Sequence, residues 1–132
     1  MFKRRNEGFT LVELLIVLAV IAALLAIITP VAVNAVKRAK ETQVASTLRN
    51  IAAAAQQYYY TEQEMPADLD ALKDSGYIQG KTDGYSLSPG DGIITISYTG
   101  GGVTAEGVNN VWNEATGTDD NIQVTIEVSK YW

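Results

Sequence analysis

The sequence predicts an α+β fold, in which one long N-terminal α-helix packs on a small head with an antiparallel β-sheet of three or four strands. Three observations lead to this prediction. An uncharged apolar run extends from Leu14 to Val36. A one-sided apolar stripe with helical spacing follows it. The last third of the chain contains short segments that alternate apolar and polar residues, which is typical of half-buried strands.

The amino-acid composition excludes several classes of functional site. The 132 residues include no cysteine and no histidine, so disulfides, thiolate metal sites and histidine-based mechanisms are all excluded. No segment resembles a nucleophile elbow or a phosphate-binding glycine loop. We therefore predict a protein with no enzymatic activity, no catalytic residue, no metal site and no cofactor.

Charge is distributed unevenly along the chain. From Ile51 to the C-terminus there are 3 basic and 12 acidic residues, a net charge of −9. A surface this acidic repels the phosphates of nucleic acids. We expect no direct nucleic-acid binding by the head.

The apolar run is long enough to cross a bilayer. Its 23 residues would form a helix of about 34 Å, against a hydrocarbon core of roughly 30 Å. A secretory signal cleaved after Ala35 is an alternative, because a basic segment precedes the run. Against this alternative, Glu13 lies at the start of the run and the helical pattern continues past it.

Charge counting does not orient this segment. Three basic residues, Lys3, Arg4 and Arg5, precede it, and three others follow closely: Lys37, Arg38 and Lys40. The positive-inside rule is therefore tied.

The stripe beyond Val36 predicts that the helix continues, from about Thr10 to Tyr60 overall. Its apolar positions are Val44, Leu48, Ile51, Ala55 and Tyr58 or Tyr59. The polar positions assigned to the other faces are Lys37, Arg38, Lys40, Glu41, Gln43, Arg49 and Gln56. Tyr58, Tyr59 and Tyr60 point about 100° apart on a helix, so we expect them to pack the helix end against the head.

Pro30 lies within the predicted helix. Proline removes one backbone donor and clashes with the carbonyl of Ala26, so a kink or local loosening is expected. A proline in a membrane helix can also simply be tolerated.

The head is predicted to begin with a short helix near Met65 that Gly76 ends. Strands are predicted at residues 85–88, 93–99, 103–106 and 122–128, with turns at 89–92 and 100–102. Residues 108–118 are predicted to form a loop that Trp112 anchors. We interpret the segment 117–121 as an acidic turn, because its spacing matches no calcium-binding template.

The segment Gly8-Phe9-Thr10-Leu11-Val12-Glu13, with its short basic leader and Pro30, resembles the class III signal of type IV pilins and pseudopilins. The resemblance covers about residues 1–60. It implies that a prepilin peptidase cuts between Gly8 and Phe9 and methylates the new amine of Phe9. It also implies a cytoplasmic leader and an outer head. We divide the chain into a leader (1–8), a transmembrane and assembly helix (9–36), an amphipathic half (37–60) and a β-rich head (61–132).

Two roles are open for Glu13. Thr10-x-x-Glu13 is a capping-box pattern, in which Glu13 would satisfy N–H groups at the start of its own helix. A carboxylate at membrane depth also costs several kcal/mol unless it is paired. After cleavage it could pair with the Phe9 amine of a neighbouring subunit and set the register of a filament. The two roles are compatible.

The resemblance implies a structural subunit that forms a homopolymer through residues that include Thr10, Leu11 and Glu13. Its expected partners are other copies of the chain, the prepilin peptidase, a membrane assembly platform and, before assembly, membrane lipid. Adhesion, twitching motility or DNA uptake would then belong to the polymer. One alternative is a pseudopilin of a type II secretion system. Another is an exported or anchored binding domain, in which residues 1–35 serve only for export.

Overall fold

We describe Gly8 and residues 10–131 in a computed structural model of the chain. The chain divides into two compact units, Met1–Val36 and Lys37–Trp132. Phe9, whose cleavage and methylation the sequence analysis predicts, lies outside the described residues.

The first element, α1, is an α-helix of 52 residues from Leu11 to Glu62. It begins one residue later and ends two residues later than predicted. Its assigned helix is continuous through Pro30. The helix is therefore not broken at this proline in the single subunit, and the kink stays a prediction.

The second half of α1 carries the buried face that the apolar stripe predicted. Val44, Leu48, Ile51 and Ala55 are each 0–2% exposed. Tyr58 and Tyr59 are also buried, whereas Tyr60 is exposed. These side chains form one core cluster with the inner face of the sheet.

The short helix of the head, α2, runs from Leu69 to Asp74. It starts later than predicted because Asp68 is its N-cap, accepting a hydrogen bond from the Ala71 N–H at 2.9 Å. Gly76 follows the C-cap with a φ of 79°. The N–H groups of Gly76 and Tyr77 then donate to the carbonyls of Lys73 and Leu72. This Schellman motif confirms Gly76 as the helix stop.

The sheet has four antiparallel strands in the order β1-β2-β4-β3. Their bounds are Tyr85–Pro89, Ile93–Tyr98, Thr116–Thr118 and Asn121–Glu127 for β1 to β4. The two central strands bury alternate residues, as their sequence pattern predicted: Ile94, Ile96 and Tyr98 on β2, and Ile122, Val124 and Ile126 on β4. The α+β prediction with up to four strands is confirmed.

The predicted strand at 103–106 is wrong. The structure has a third helix, α3, from Ala105 to Val111, with Thr104 as its N-cap. The Thr104 hydroxyl accepts a hydrogen bond from the Gly107 N–H at 3.0 Å. The prediction of an irregular segment at 108–118 is wrong for the same reason, and also because Thr116–Thr118 forms β3.

Candidate functional site

The predicted processing and assembly segment lies at the start of α1. Gly8 is exposed, and a Cβ built on it would meet no atom within 4 Å. Thr10 caps the helix: its hydroxyl oxygen accepts a hydrogen bond from the Glu13 N–H at 3.1 Å, and its carbonyl accepts one from the Leu14 N–H at 3.1 Å. Since Thr10 fixes where the helix begins, it also fixes where the Glu13 side chain leaves the backbone.

Only one half of the predicted capping box is formed. The Thr10 side chain bonds to the Glu13 N–H, but within residues 10–131 the structure shows no hydrogen bond to the Glu13 carboxylate. Glu13 is exposed in the single subunit. Its carboxylate is thus available to a group outside the described chain.

Around Glu13 the surface is apolar. Every residue from Thr10 to Lys40 is exposed, and this set includes Leu11 at 73% and Ile27 at 69%. By length and composition α1 can cross a membrane. An apolar surface this large is unstable in water, so it requires burial in lipid or against other protein.

A polar feature interrupts this apolar surface next to Pro30. The Thr29 hydroxyl donates a hydrogen bond to the Leu25 carbonyl at 2.6 Å, one helical turn earlier. Pro30 provides no N–H for the Ala26 carbonyl. Pro30 therefore departs from the ordinary backbone pattern, and side-chain bonds such as that of Thr29, which also occur at Thr42 and Thr47, often bend helices.

The structure brings Gly8, Thr10, Leu11 and Glu13 together at the helix start, because they are neighbours in the sequence. Pro30 lies 17 residues beyond Glu13 and shares no contact with them. The relation of these residues to Phe9 falls outside the described part of the chain.

Sequence reasoning placed Glu41 on an outer face, and this is wrong. Glu41 is 7% exposed. It precedes Val44 by three residues and Leu48 by seven, so it falls in the buried stripe, and this spacing was the signal that could have located it. The Thr104 hydroxyl donates to Glu41 Oε1 at 3.2 Å, which satisfies the carboxylate at the first turn of α3.

Arg49 contacts the other end of α3. Its Nη2 donates to the Val111 carbonyl at 3.1 Å. Its guanidinium carbon lies 5.3 Å from the centre of the Trp112 ring, within range of a cation–π interaction. Trp112 is half-buried and packs on the core, as predicted for an anchor of this segment.

The acidic segment 117–121 contains the turn between β3 and β4, which residues 119–120 form. Asp119 Oδ1 accepts a hydrogen bond from the Ala105 N–H at 2.8 Å, so this carboxylate supports the start of α3. Across Gly8 and residues 10–131, no group of three acidic, histidine or cysteine side chains is placed to hold a metal ion.

Comparison with known proteins points to the same N-terminal segment. Residues 3–29 match the family described as the prokaryotic N-terminal methylation motif. The chain is 32% identical to the competence protein ComGC of Halalkalibacterium halodurans over 94 residues, which cover 70% of this chain and 92% of that protein.

Two further relatives match a larger part of this chain. It is 30% identical to the fimbrial protein EcpC of Eikenella corrodens over 98% of its own length and 86% of that protein. It is also 32% identical to the type IV major pilin protein PilA of Myxococcus xanthus over 72% of its length and 43% of that protein. No solved structure matches the chain significantly.

Proposed function

This chain belongs to the family of type IV pilin-like proteins, and from that membership we propose that it is the structural subunit of a type IV pilus-like filament. It is stored in the inner membrane, cleaved after Gly8, methylated at the amine of Phe9 and polymerised through the first half of α1. One observation carries the proposal. A long apolar surface is exposed in the subunit and bears a single carboxylate, Glu13, near its start.

The exposed surface explains both storage and assembly. In the membrane, lipid covers the apolar side chains of residues 14–36. In a filament, the same side chains pack against the helices of neighbouring subunits. Each subunit therefore exchanges one apolar environment for another, and the exchange requires no exposure of this surface to water.

Glu13 supplies the register of this packing. Helices coated with aliphatic side chains can slide past one another at little cost, since apolar contacts are not directional. A charged pair fixes one position, because breaking it leaves a charge unpaired at a cost of about 3–5 kcal/mol. We propose that the Glu13 carboxylate pairs with the Phe9 amine that cleavage creates on a neighbouring subunit.

Cleavage after Gly8 fits the surroundings of that glycine. The residue is exposed, and no atom lies within 4 Å of the position that its Cβ would take. This exposure supports access of a peptidase to Gly8. The family motif that matches residues 3–29 supports this processing. It also supports an orientation with the leader in the cytoplasm and the head outside.

Pro30 and Thr29 give α1 a weak point within the apolar half. The proline lacks a backbone donor, and the Thr29 hydroxyl bonds to the carbonyl of Leu25. We propose that helical order is lost before Pro30 on assembly, which makes the filament core extensible.

The central experiment measures the mature N-terminus and the filament yield together. Mass spectrometry of sheared surface filaments is expected to find methylated Phe9 as the first residue. Glu13→Ala is expected to be cleaved normally and to form few filaments, since loss of a pair worth about 3–5 kcal/mol weakens subunit association roughly a hundredfold or more. An N-terminus at Val36 would refute the pilin assignment.

Glu7→Ala is the matched control for Glu13→Ala. Glu7 is a carboxylate six residues earlier, in the leader that cleavage removes. We expect this variant to assemble as the unaltered chain does. Normal filament yield from Glu13→Ala would contradict the pairing, whereas equal losses from both variants would indicate a processing defect.

A second candidate is a filament of a DNA-uptake machine, which the match to a competence protein over 92% of that relative favours. A pseudopilin of a type II secretion system is the further alternative. A deletion strain distinguishes them. Loss of transformation with normal secretion would support uptake, loss of a secreted enzyme would support secretion, and loss of surface motility or adhesion would support a pilus.

A further inference from the structure

A cavity of about 240 Å³ lies on the head beside α1. Two lysines line it, Lys40 from α1 and Lys81 from the connection between α2 and β1. The fold brings these two residues together although 41 positions separate them in the sequence. With two ammonium groups, this small cavity carries positive charge although the head is acidic overall.

Three further polar side chains of the cavity can donate hydrogen bonds as well as accept them, whereas Asp83 only accepts. Gln43, Thr47 and Tyr85 line it together with the two lysines. Burial raises the pKa of Tyr85, with the Thr47 hydroxyl opposing this shift, so the phenol is protonated at neutral pH and can donate a hydrogen bond. A cavity rich in N–H and O–H donors and in positive charge is suited to an oxyanion.

Lys40 is exposed, and its side chain lies against the glycine turn that follows β2. A Cβ built on Gly102 would come within 2.4 Å of Lys40 Nζ, so the ammonium occupies space that any larger residue would fill. Within the described part of the chain the structure shows no ion pair to Lys40 or Lys81. Asp83 also lines the cavity, and it leaves the lining with an excess of one positive charge.

The size and place of the cavity limit what anion can occupy it. Its volume is below the roughly 300–1,000 Å³ of pockets that hold drug-sized ligands, so it admits a single small group. Lys40 stands only four residues beyond Val36, where the apolar run ends, and Lys37 and Arg38 lie between them. In the proposed orientation these residues face the outer leaflet of the inner membrane, and basic residues next to a membrane segment are attracted to the anionic lipids of the leaflet that they face.

We propose that the cavity lined by Lys40 and Lys81 binds the phosphate of an anionic phospholipid headgroup. The inference rests on the proposed storage of the subunit in a membrane. Lys40 and Lys81 supply the charge, and Gln43 and Tyr85 supply hydrogen bonds. Asp83 reduces the affinity, so that the lipid can be released when the subunit leaves the membrane. Nucleic acid is disfavoured as the occupant, because the residues from Ile51 onward carry a net charge of −9.

The test uses the full chain in a non-ionic detergent and measures bound ligands by native mass spectrometry. The probes are short-chain phosphatidylglycerol, the matched phosphatidylcholine, inorganic phosphate and a short single-stranded oligonucleotide. We expect phosphatidylglycerol to bind best. Lys40→Gln and Lys81→Gln are each expected to weaken its binding about fivefold, and Asp83→Asn to strengthen it.

Lys73→Gln is the matched control, since Lys73 is a lysine of the same head that does not line this cavity. It is expected to leave binding unchanged. Equal binding of phosphatidylglycerol by Lys40→Gln, Lys81→Gln and the unaltered chain would overturn the proposal. Inorganic phosphate binding as tightly as the lipid would overturn the lipid as occupant, and tighter binding of the oligonucleotide would do the same.

The outcome is separable from that of the proposed function. Filament yield and Phe9 methylation of the same variants are measured in cells. Lysine-dependent lipid binding without filaments would leave the cavity assignment standing and refute the filament proposal. The opposite result is also possible. If the filaments are methylated but lipid binding changes neither with Asp83→Asn nor with Lys40→Gln, the filament proposal stands and the cavity assignment is refuted.

Discussion

Glu13 and Glu41 are two carboxylates on one helix with opposite surroundings. Glu13 is exposed and has no hydrogen-bond partner among the described residues, whereas Glu41 is 7% exposed and accepts a hydrogen bond from Thr104. The cost of burying the Glu41 charge is offset inside the subunit, by a hydroxyl and by the positive end of α3. No described residue offsets the cost of burying Glu13, and we propose that a neighbouring subunit does. One residue type thus stabilises a fold at one position and, as we propose, an assembly at the other.

Gly107 provides a test of how firmly Glu41 is held. A Cβ at this position would lie within 2.0 Å of the Glu41 carboxylate carbon. We expect Gly107→Ala to displace the carboxylate, break its bond to Thr104 and lower the free energy of unfolding by roughly 1–3 kcal/mol. Thermal unfolding of the full chain in detergent measures this loss.

The matching control is the same change in a Glu41→Ala background. Without the carboxylate the new methyl group has room, and alanine is favoured over glycine inside a helix by roughly 0.5–1 kcal/mol. Gly107→Ala should then stabilise the head. A loss of equal size in both backgrounds would show that Glu41 does not determine the residue at position 107.

At the scale of elements, α1 holds α3 at both ends. Glu41 lies at the first turn of α3 and Arg49 bonds to the Val111 carbonyl at its last turn. A negative group at the N-terminus of α3 and a positive group at its C-terminus both interact favourably with the helix dipole. A helix of seven residues is too short to be stable alone, so these contacts stabilise α3 together with the Thr104 cap and the bond to Asp119.

The elements that the sequence predicted correctly are those with a repeated local pattern. The stripe of α1 and the alternation of β2 and β4 persist over many residues, so each residue supports the assignment of the next. The segment Gly8–Glu13, whose processing stays a prediction, is likewise continuous in the sequence. By contrast, α3 contains Gly107, which is unfavourable inside a helix. It is stabilised in part by Glu41, which lies 66 positions before Gly107 in the chain. The β3 strand has three residues, all exposed, and offers no pattern.

We predict that the stability of the head depends on pH, because of two tyrosines near the end of α1 and the end of α2. Hydrogen bonds to Glu64 and Glu62, at 3.0 and 2.8 Å, raise the pKa values of Tyr58 and Tyr77 respectively. Each tyrosine then holds its proton more tightly in the folded chain than in the unfolded chain. The stabilisation that these two hydrogen bonds provide is therefore fully present below about pH 10. It is lost as the pH rises through the raised pKa values of the two tyrosines in the folded chain.

Thermal melts between about pH 8 and 11.5 measure this effect. Tyr58→Phe is expected to reduce the fall in melting temperature above about pH 10, since it removes one of the groups that must lose a proton. Tyr60→Phe is a suitable control, because Tyr60 lies on the same turn and is exposed. An identical fall in the unaltered chain and in Tyr58→Phe would contradict the assignment.

At the scale of the whole molecule, net charge governs how filaments meet. The residues from Lys37 onward include 7 basic and 13 acidic side chains, a net charge of −6 on the part that we place outside the filament core. Neighbouring filaments should therefore repel one another at low salt. The screening length falls from about 30 Å at 0.01 M salt to about 3 Å at 1 M.

We predict that sheared filaments stay separate at about 0.01 M salt and bundle laterally above roughly 0.3 M. Light scattering and electron microscopy measure the change. Replacing Asp119 and Asp120 by asparagine should lower the salt concentration at which bundling begins, while Lys130→Gln should raise it. Bundling that does not respond to salt would show that contacts other than charge join the filaments.

The two outer strands of the sheet affect the risk of aggregation, which any polymer-forming protein carries. Strand edges can recruit further strands without limit, and such growth would compete with growth through α1. Here one edge strand, β3, has only three residues, including Gly117, and the other, β1, ends in Pro89 and carries two serines. Short, polar and proline-terminated edges are poor templates for amyloid. At the high local concentration of a membrane store, the head is therefore protected from aggregation through its sheet, and ordered growth is left to the helix.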